Sequence, residues 1–576
     1  VRNVLTDTTL PGQLAAWATL DPHGVAVSFL DYRANPAGEQ FSLTWGELDA
    51  RVAAVAAWTQ AQVSTGEPVA ILMDQTLDYV VAFLGVLSAG AVAVPLFAPG
   101  LPGHADRLAA VLADCRPPLV LVDHDSDQQV RDFLTDRGLP PTEIAALPTE
   151  TGERGEQVPL RAEDVAYLQY TSGSTGSARG VMITHGNVVA NARQCTTAYE
   201  MERGSTVTVG WLPLFHDLGL VLSVAVPVVA GIRSVFMQPL AFLERPVRWV
   251  KALSANPRAV TAAPNFAYAY CGARVADADK ARLRLETVHA MVDGSEPLQA
   301  AAIARFRDAF AVCGLRPQAH RPSYGLAEGT VAVSTTVAGT APKAWSFDRE
   351  KLAEGTLAEA PPGSATAIEL VSCGQPMGQT VAIVDPKTRR ELPPGAVGEI
   401  WVTGPNVGLG YWNRPEESAA TFGAVLADPT GDTVSGDSLA ADTWLRTGDL
   451  GACHDGALFV TGRIKDLIIV DGGNHYPQDI EQTVERAHAA IRPRNTVAFS
   501  VPSPDGERVV VLAERTRSVP ADSVDLAELA AAVRAAVARR HGIALHEVRL
   551  VEPDTLPRTS SGKIARSTCR DRYLMN

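Results

Sequence analysis

From Tyr170 to Val181 the chain reads Tyr-Thr-Ser-Gly-Ser-Thr-Gly-Ser-Ala-Arg-Gly-Val, a glycine- and hydroxyl-rich stretch that follows the largely apolar segment from Asp164. Backbone N–H and side-chain O–H groups in a loop after a strand can converge on phosphate oxygens, so Thr171, Ser172, Gly173, Ser174, Thr175 and Gly176 read as a polyphosphate cradle. Two familiar alternatives fail on spacing. No Lys-Ser or Lys-Thr closes the loop as a P-loop NTPase requires, and no G-x-S-x-G elbow surrounds Ser172 or Ser174. A second polar constellation, His216-Asp217, stands just before a long apolar run. It fits a helix start with Asp217 near the cap, or a place at a reactive site; without a strained nucleophile it does not make a Ser-His-Asp hydrolase.

Such groups need a rigid frame. Leu77 to Ala89 has the length and composition of a helix stopped by Gly90, and Ala91 to Leu96 then reads as a short buried strand. Leu119–Val122 and Ala259–Ala262 read as further strands and Val188–Cys195 as a helix, which predicts an α/β class with mostly parallel strands. From Val381 shorter extended pieces separated by turn signals predict a β-rich subdomain over about 372–463. Beyond Gly462–Asp466, strands at Leu467–Val470 and Val509–Leu512 alternate with helices at Pro477–Ala487 and Leu526–Arg539, as expected of a compact α+β terminal domain.

At 576 residues the chain exceeds what one hydrophobic core absorbs, and 46% apolar with 20% charged residues is the composition of a folded globular protein. Acidic residues outnumber basic ones 64 to 50, leaving −14, so nucleic acid is not an expected partner. Seven scattered cysteines form no metal knuckle or redox pair and read as buried thiols of a reducing compartment. The runs Tyr79–Gly103 and Leu218–Ile232 are too broken or too short to span a membrane, and no basic n-region opens the chain, so the expectation is a cytoplasmic protein without a transmembrane segment.

The glycine-rich loop is followed in order by Trp211-Leu-Pro-Leu-Phe-His-Asp-Leu-Gly-Leu220, Ser323-Tyr-Gly-Leu-Ala-Glu328, Arg446-Thr-Gly-Asp-Leu450, Gly462-Arg-Ile-Lys-Asp466 and Pro557-Arg-Thr-Ser-Ser-Gly-Lys563. With Leu43–Leu48 and Leu87–Leu96, this ordered set resembles the adenylate-forming superfamily of acyl-CoA synthetases, luciferases and peptide-synthetase adenylation domains, over nearly the whole chain. Within it the sequence looks most like a fatty acyl-AMP ligase, on Phe215–Gly219, Ala263–Tyr268, Asp471–Glu481 and a family-type insertion at about 336–370 that includes Trp345–Thr356. The resemblance implies a large, multi-subdomain N-terminal adenylation domain, 1–463, and a smaller mobile C-terminal domain, 464–576.

It also implies roles. A fatty carboxylate attacks the α-phosphate of ATP and pyrophosphate leaves, so the protein positions reactants and neutralises phosphoryl charge. By resemblance, the hydroxyls of Thr171, Ser172, Ser174 and Thr175 hold the β/γ-phosphates, and Glu328 helps hold Mg²⁺. Gly294, Ser295 and Glu296 with Tyr324 line the adenine, Ser323 and Gly325 belong to the same ATP site, and Asp449, backed by Arg463, takes the ribose hydroxyls. Lys563 is the expected catalytic lysine, His216 lies beside the carboxylate, and Lys465 is the hinge. Leu218, Ala263, Pro264, Asn265, Phe266, Tyr268 and Met291 are the candidate acyl pocket. Arg179 stands where the superfamily usually has a lysine, and Gly473 where many of these ligases have an arginine.

The partners implied are a fatty acid and the phosphopantetheine thiol of an acyl carrier protein in a polyketide or peptide pathway. Because no carrier motif follows Lys563, a separate carrier is expected. An acyl-CoA synthetase would share every ATP residue and differ in the insertion and in Gly472–Pro477. A non-catalytic acyl or nucleotide sensor is the other reading, and retention of Glu328, Asp449 and Lys563 together argues against it.

Overall fold

The computed structural model describes residues 8–100, 104–148, 155, 157–171, 178–427, 443–470, 473–503, 506–558 and 563–575. Among these, two sheets carry the larger part of the molecule. One runs in the order 410–411, 179–184, 165–171, 92–95, 68–72, 119–122, 143–146 and the other 375–376, 334–335, 320–324, 290–294, 259–264, 207–210, 233–237, 25–31, 39–44. Their central strands pair in parallel, and antiparallel strands lie at the margins.

The strand sequences explain this. Pro68–Leu72, Leu119–Val122 and Ala259–Pro264 are buried at every position, which suits unbroken Val/Ile/Leu/Ala runs covered on both faces. Side chains from both sheets, such as Val69, Ile71, Val260 and Val292, join one apolar core. Helices begin where the sequence can cap them: Thr44 with Glu47 and Thr184 with Asn187 each form a reciprocal capping box. The expected helix after Thr76 spans Leu77–Ser88, with the strand Val92–Pro95 beyond Gly90.

A four-stranded antiparallel sheet, Thr380–Val384, Gly398–Thr403, Leu445–His454 and Ala457–Arg463, matches the β-rich texture read from Val381 onward. The segment read as an insertion folds as paired strands Ala344–Asp348 and Ala367–Val371 around the short helix Arg349–Ala353. Past Arg463, the strands Ile491–Ser503, Gly506–Arg515 and Leu545–Val551 form a sheet. Helices Pro477–Ala487 and Leu526–His541 contribute to a separate core with it. No cysteine is disulfide-bonded; six are buried and Cys453 is half-buried. No helix among the described residues is long and apolar enough to cross a membrane.

Candidate active site

The residues singled out by sequence gather where the parallel strands end, the edge at which open α/β sheets bind ligands. Thr171 closes its strand, Trp211–His216 follow Val207–Gly210, Asn265 follows Ala259–Pro264, Ser295 and Glu296 follow Ala290–Gly294, and Gly325 follows His320–Tyr324. The expected cradle residues Ser172, Gly173, Ser174, Thr175 and Gly176 lie outside the described residues. Close approach explains two glycines here. A Cβ on Gly325 would stand 1.7 Å from the Val331 carbonyl oxygen, and one on Gly219 would stand 2.1 Å from that of Pro213. Ser295 is held at φ +65°, strain of the kind that collects at ligand-binding loops.

Tyr324, Asp449 and Arg463 form a chain across two sheets. The Tyr324 hydroxyl donates to Asp449 Oδ2 at 2.8 Å, and Arg463 Nε is 2.8 Å from Asp449 Oδ1. The Asp449 carboxylate is nearly covered while Arg463 keeps half its side chain in solvent. Burial and the neighbouring Asp449 push the Tyr324 hydroxyl well above its ordinary range, keeping it a donor.

His216 and Asp217 are bonded side chain to side chain, Nδ1 to Oδ1 at 2.5 Å. The expected helix start is there: His216 occupies the N-cap without a side-chain bond, and Asp217, next to it, is the first helical residue, accepting from Leu218 N–H at 2.7 Å. Burial pushes the Asp217 carboxyl up, but His216, the Leu218 amide and Lys563 together hold it below the ordinary carboxylate range. An aspartate so placed fixes the imidazole's orientation. The helix passes through a π turn, Val221–Ala225, a distortion frequent at functional sites.

Lys563 comes from the C-terminal side of the molecule and is half-buried. Its ammonium pKa is lowered, chiefly by desolvation and then by Arg463, against the pull of Glu296, Asp217 and Asp449. The charges acting on Lys563 therefore belong to the loop after strand Ala290–Gly294, the His216 pair and the Asp449–Arg463 group. Glu296 Oε1 accepts from the Phe266 amide at 2.5 Å, tying that loop to the start of helix Asn265–Arg274. Glu328 accepts from the Tyr411 hydroxyl at 2.9 Å, and burial raises its pKa. Arg179, in the position expected to hold a lysine, pairs with Glu417 at 3.0 Å and packs 5.6 Å from the Tyr411 ring; it braces the tyrosine that holds Glu328. Lys465 sits exposed in the turn Ile464–Asp466, and Gly473 lies in a short strand paired with Val470.

Of the acyl-pocket candidates, Leu218 and Phe266 are half-buried and Ala263, Pro264, Asn265, Tyr268 and Met291 are buried. Tyr268 is fixed in place: its hydroxyl donates to Val292 O at 2.7 Å, and Trp249, Phe306 and His320 surround its ring. Beside it lies a buried cluster that the sequence reading missed. Asp293 Oδ2 accepts from Asn265 Nδ2 and lies against His320 Nε2, both at 2.8 Å. The signal available was a carboxylate inside an apolar strand, Ala290–Gly294, where an unpaired charge is too costly to stand. Also missed was the buried pair between Arg349 of the insertion and Asp479, Nε to Oδ2 at 2.6 Å.

With this geometry in place, comparison with known proteins is decisive. The model for AMP-binding enzymes matches residues 14–412, and that for the AMP domain of Disco-interacting protein 2-like proteins matches 465–576. The chain belongs to the AMP-binding enzyme family. It is 41% identical to the long-chain-fatty-acid–AMP ligase FadD32 of Mycolicibacterium smegmatis, over 97% of this chain and 93% of that one. It is 39% identical to the 4-hydroxyphenylalkanoate adenylyltransferase of Mycobacterium tuberculosis, over 100% and 93%. Among solved structures it superposes with TM-score 0.85 and 30% identity on one described in work on the fatty acyl-adenylate ligases of E. coli and L. pneumophila, covering 99% of this chain and 98% of that one. An L. pneumophila fatty acyl-adenylate ligase in complex with acyl adenylate and pyrophosphate gives 0.74 and 31%, covering 100% and 97%. This member of the family therefore has adenylate-forming relatives across its whole length, and ATP is its substrate.

Proposed function

We propose that the protein joins a fatty carboxylate to AMP and passes the acyl group to the phosphopantetheine thiol of a carrier protein. One observation carries most weight: Lys563, from outside the large sheets, is half-buried and feels the charges of Arg463, Glu296, Asp217 and Asp449. A carboxylate oxygen of the acid attacks the α-phosphorus, the bond to the bridging oxygen of pyrophosphate breaks, and a mixed anhydride remains. Lys563 neutralises negative charge gathering on the acid and α-phosphate oxygens, and burial makes that cation stronger there than in water. Asp449, backed by Arg463, grips the ribose, Tyr324 and Gly294–Glu296 line the adenine, and His216, oriented by Asp217, faces the carboxylate. The cradle that begins at Thr171 holds the leaving phosphates.

Glu328 suits Mg²⁺. No group of three His, Cys, Asp or Glu side chains is poised for a metal among the described residues, and Mg²⁺ in phosphoryl-transfer sites characteristically uses one or two carboxylates plus substrate phosphates. Burial raises Glu328's pKa, so a cation there would restore its charge. When bound, the ion would draw charge from the phosphate oxygens.

We take 464–576 as the unit that moves, with Lys465 at its hinge. The test is mass spectrometry of products from ATP, Mg²⁺ and a panel of fatty acids, with CoA or a phosphopantetheinylated carrier in parallel. Acyl-AMP with acyl transfer to the carrier supports the reading, efficient acyl-CoA formation replaces it with an acyl-CoA synthetase, and no acyl-AMP with any acid overturns it.

A further inference from the structure

Arg494 holds the left-handed backbone conformation, φ +61°, a region in which glycine is at ease and a long side chain is strained. Its surroundings enforce this. Strand Ile491–Ser503 breaks register with its partner between Ile491, opposite Arg515, and Thr496, opposite Ala513, so several residues bulge outward. The Glu485 carboxyl takes the Arg494 N–H, Asn495 Nδ2 donates to Pro493 O at 2.7 Å, and Arg558 donates to Asn495 Oδ1. Strain that is over-determined in this way points to a use. The Arg494 side chain leaves its own sheet and donates from Nη2 to Gln299 Oε1 at 3.3 Å. Gln299 is no bystander, since its backbone N–H is bonded to Asn265 Oδ1 at 3.3 Å, the asparagine anchored by Asp293. Arg494 also acts electrostatically on Glu296, as Lys563 does.

We propose that Arg494 is a positioning residue for adenylate formation: from the C-terminal side it docks on Gln299 beside the adenine loop and steadies the arrangement in which Lys563 reaches the reaction centre. The proposal rests on the adenylating activity proposed above. Arg494→Gly in the full chain removes the side chain and relieves the backbone, so the fold is not at risk and the melting temperature should not fall. Pyrophosphate release at saturating ATP and fatty acid should slow about tenfold, the effect of one charge-assisted hydrogen bond. The KM for ATP should move less than about twofold, since Arg494 grips no part of the nucleotide in this scheme. Acyl transfer from supplied acyl-AMP to free phosphopantetheine should be unchanged or faster. Gln299→Ala should reproduce the loss, and the double variant should be no slower than either single one. If wild-type protein is active and Arg494→Gly matches it, or slows both half-reactions equally, or adds to Gln299→Ala, the proposal falls while the function stands. If wild-type protein adenylates no acid, both fall.

Discussion

The contact between the insertion and the C-terminal side gives the sharpest energetic prediction. Arg349 and Asp479 are almost fully covered, with side chains 10% and 7% exposed, and they meet through two bonds, 2.6 and 3.2 Å. Arg349→Ala would leave the Asp479 carboxylate in the interior beside His541, whose Nδ1 stands 3.7 Å away. Breaking a buried ion pair from one side costs about 3–5 kcal/mol. Here His541 can take up a proton in compensation, so the low end, about 3 kcal/mol, is expected, a roughly 150-fold shift between docked and undocked arrangements. That energy belongs to the seam between Ala344–Val371 and helix Pro477–Ala487, not to the main apolar core. Hydrogen exchange with mass spectrometry should therefore show lost protection in both seam segments and unchanged protection in Pro68–Leu72 and Ala259–Pro264. Arg349→Ala with Asp479→Ala should be milder than the sum of the singles, because no orphaned charge remains. Strict additivity, or equal loss of protection in the core strands, would refute the reasoning.

Lys563→Ala should reduce pyrophosphate release by about a hundredfold or more while leaving transfer from supplied acyl-AMP largely intact; equal damage to both half-reactions would remove its proposed part. Asp449→Asn should raise the KM for ATP about tenfold, through loss of a charge-assisted hydrogen bond, and an unchanged KM would take the ribose from this site. Acid should loosen the same seam. Burial pulls the His541 imidazole down to about 4 from 6.5, so the folded form binds fewer protons than the unfolded form between those values. Stability is then greatest above pH ~6.5 and is lost as pH falls toward 4, by on the order of 3 kcal/mol. Thermal melts of wild type and His541→Gln across that window should diverge, the variant showing the flatter profile.

What could be read in advance follows from range. Val92–Pro95 and Leu119–Val122 announce themselves as buried strands because burial on both faces demands apolar side chains in unbroken succession, and Pro477–Ala487 begins and ends as a helix where its sequence says. The residues at the strand ends, Gly294-Ser295-Glu296 among them, were legible only through resemblance, because the order of motifs along the chain is distinctive where local pattern is not. The π turn at Val221–Ala225 was not legible, because a uniformly apolar run looks the same in either helical form.

The contacts that join the two sides of the molecule fall at the other extreme. Arg349 meets Asp479 across 130 residues and Arg494 meets Gln299 across 195; each of the three charged residues, taken alone, reads as a solvated charge. Local pattern sees only local partners, whereas a domain seam is made of distant residues whose burial exists only once both surfaces are built. Arg494 shows how a seam can still be detected from the backbone. Nothing in its neighbours' types demands an arginine, yet it stands in a conformation that would suit glycine, and the side chain that strains it is the one that crosses to Gln299. A strained residue with an outward reach therefore marks a contact between the two sides that neither side's local pattern announces, here the one from Arg494 to Gln299.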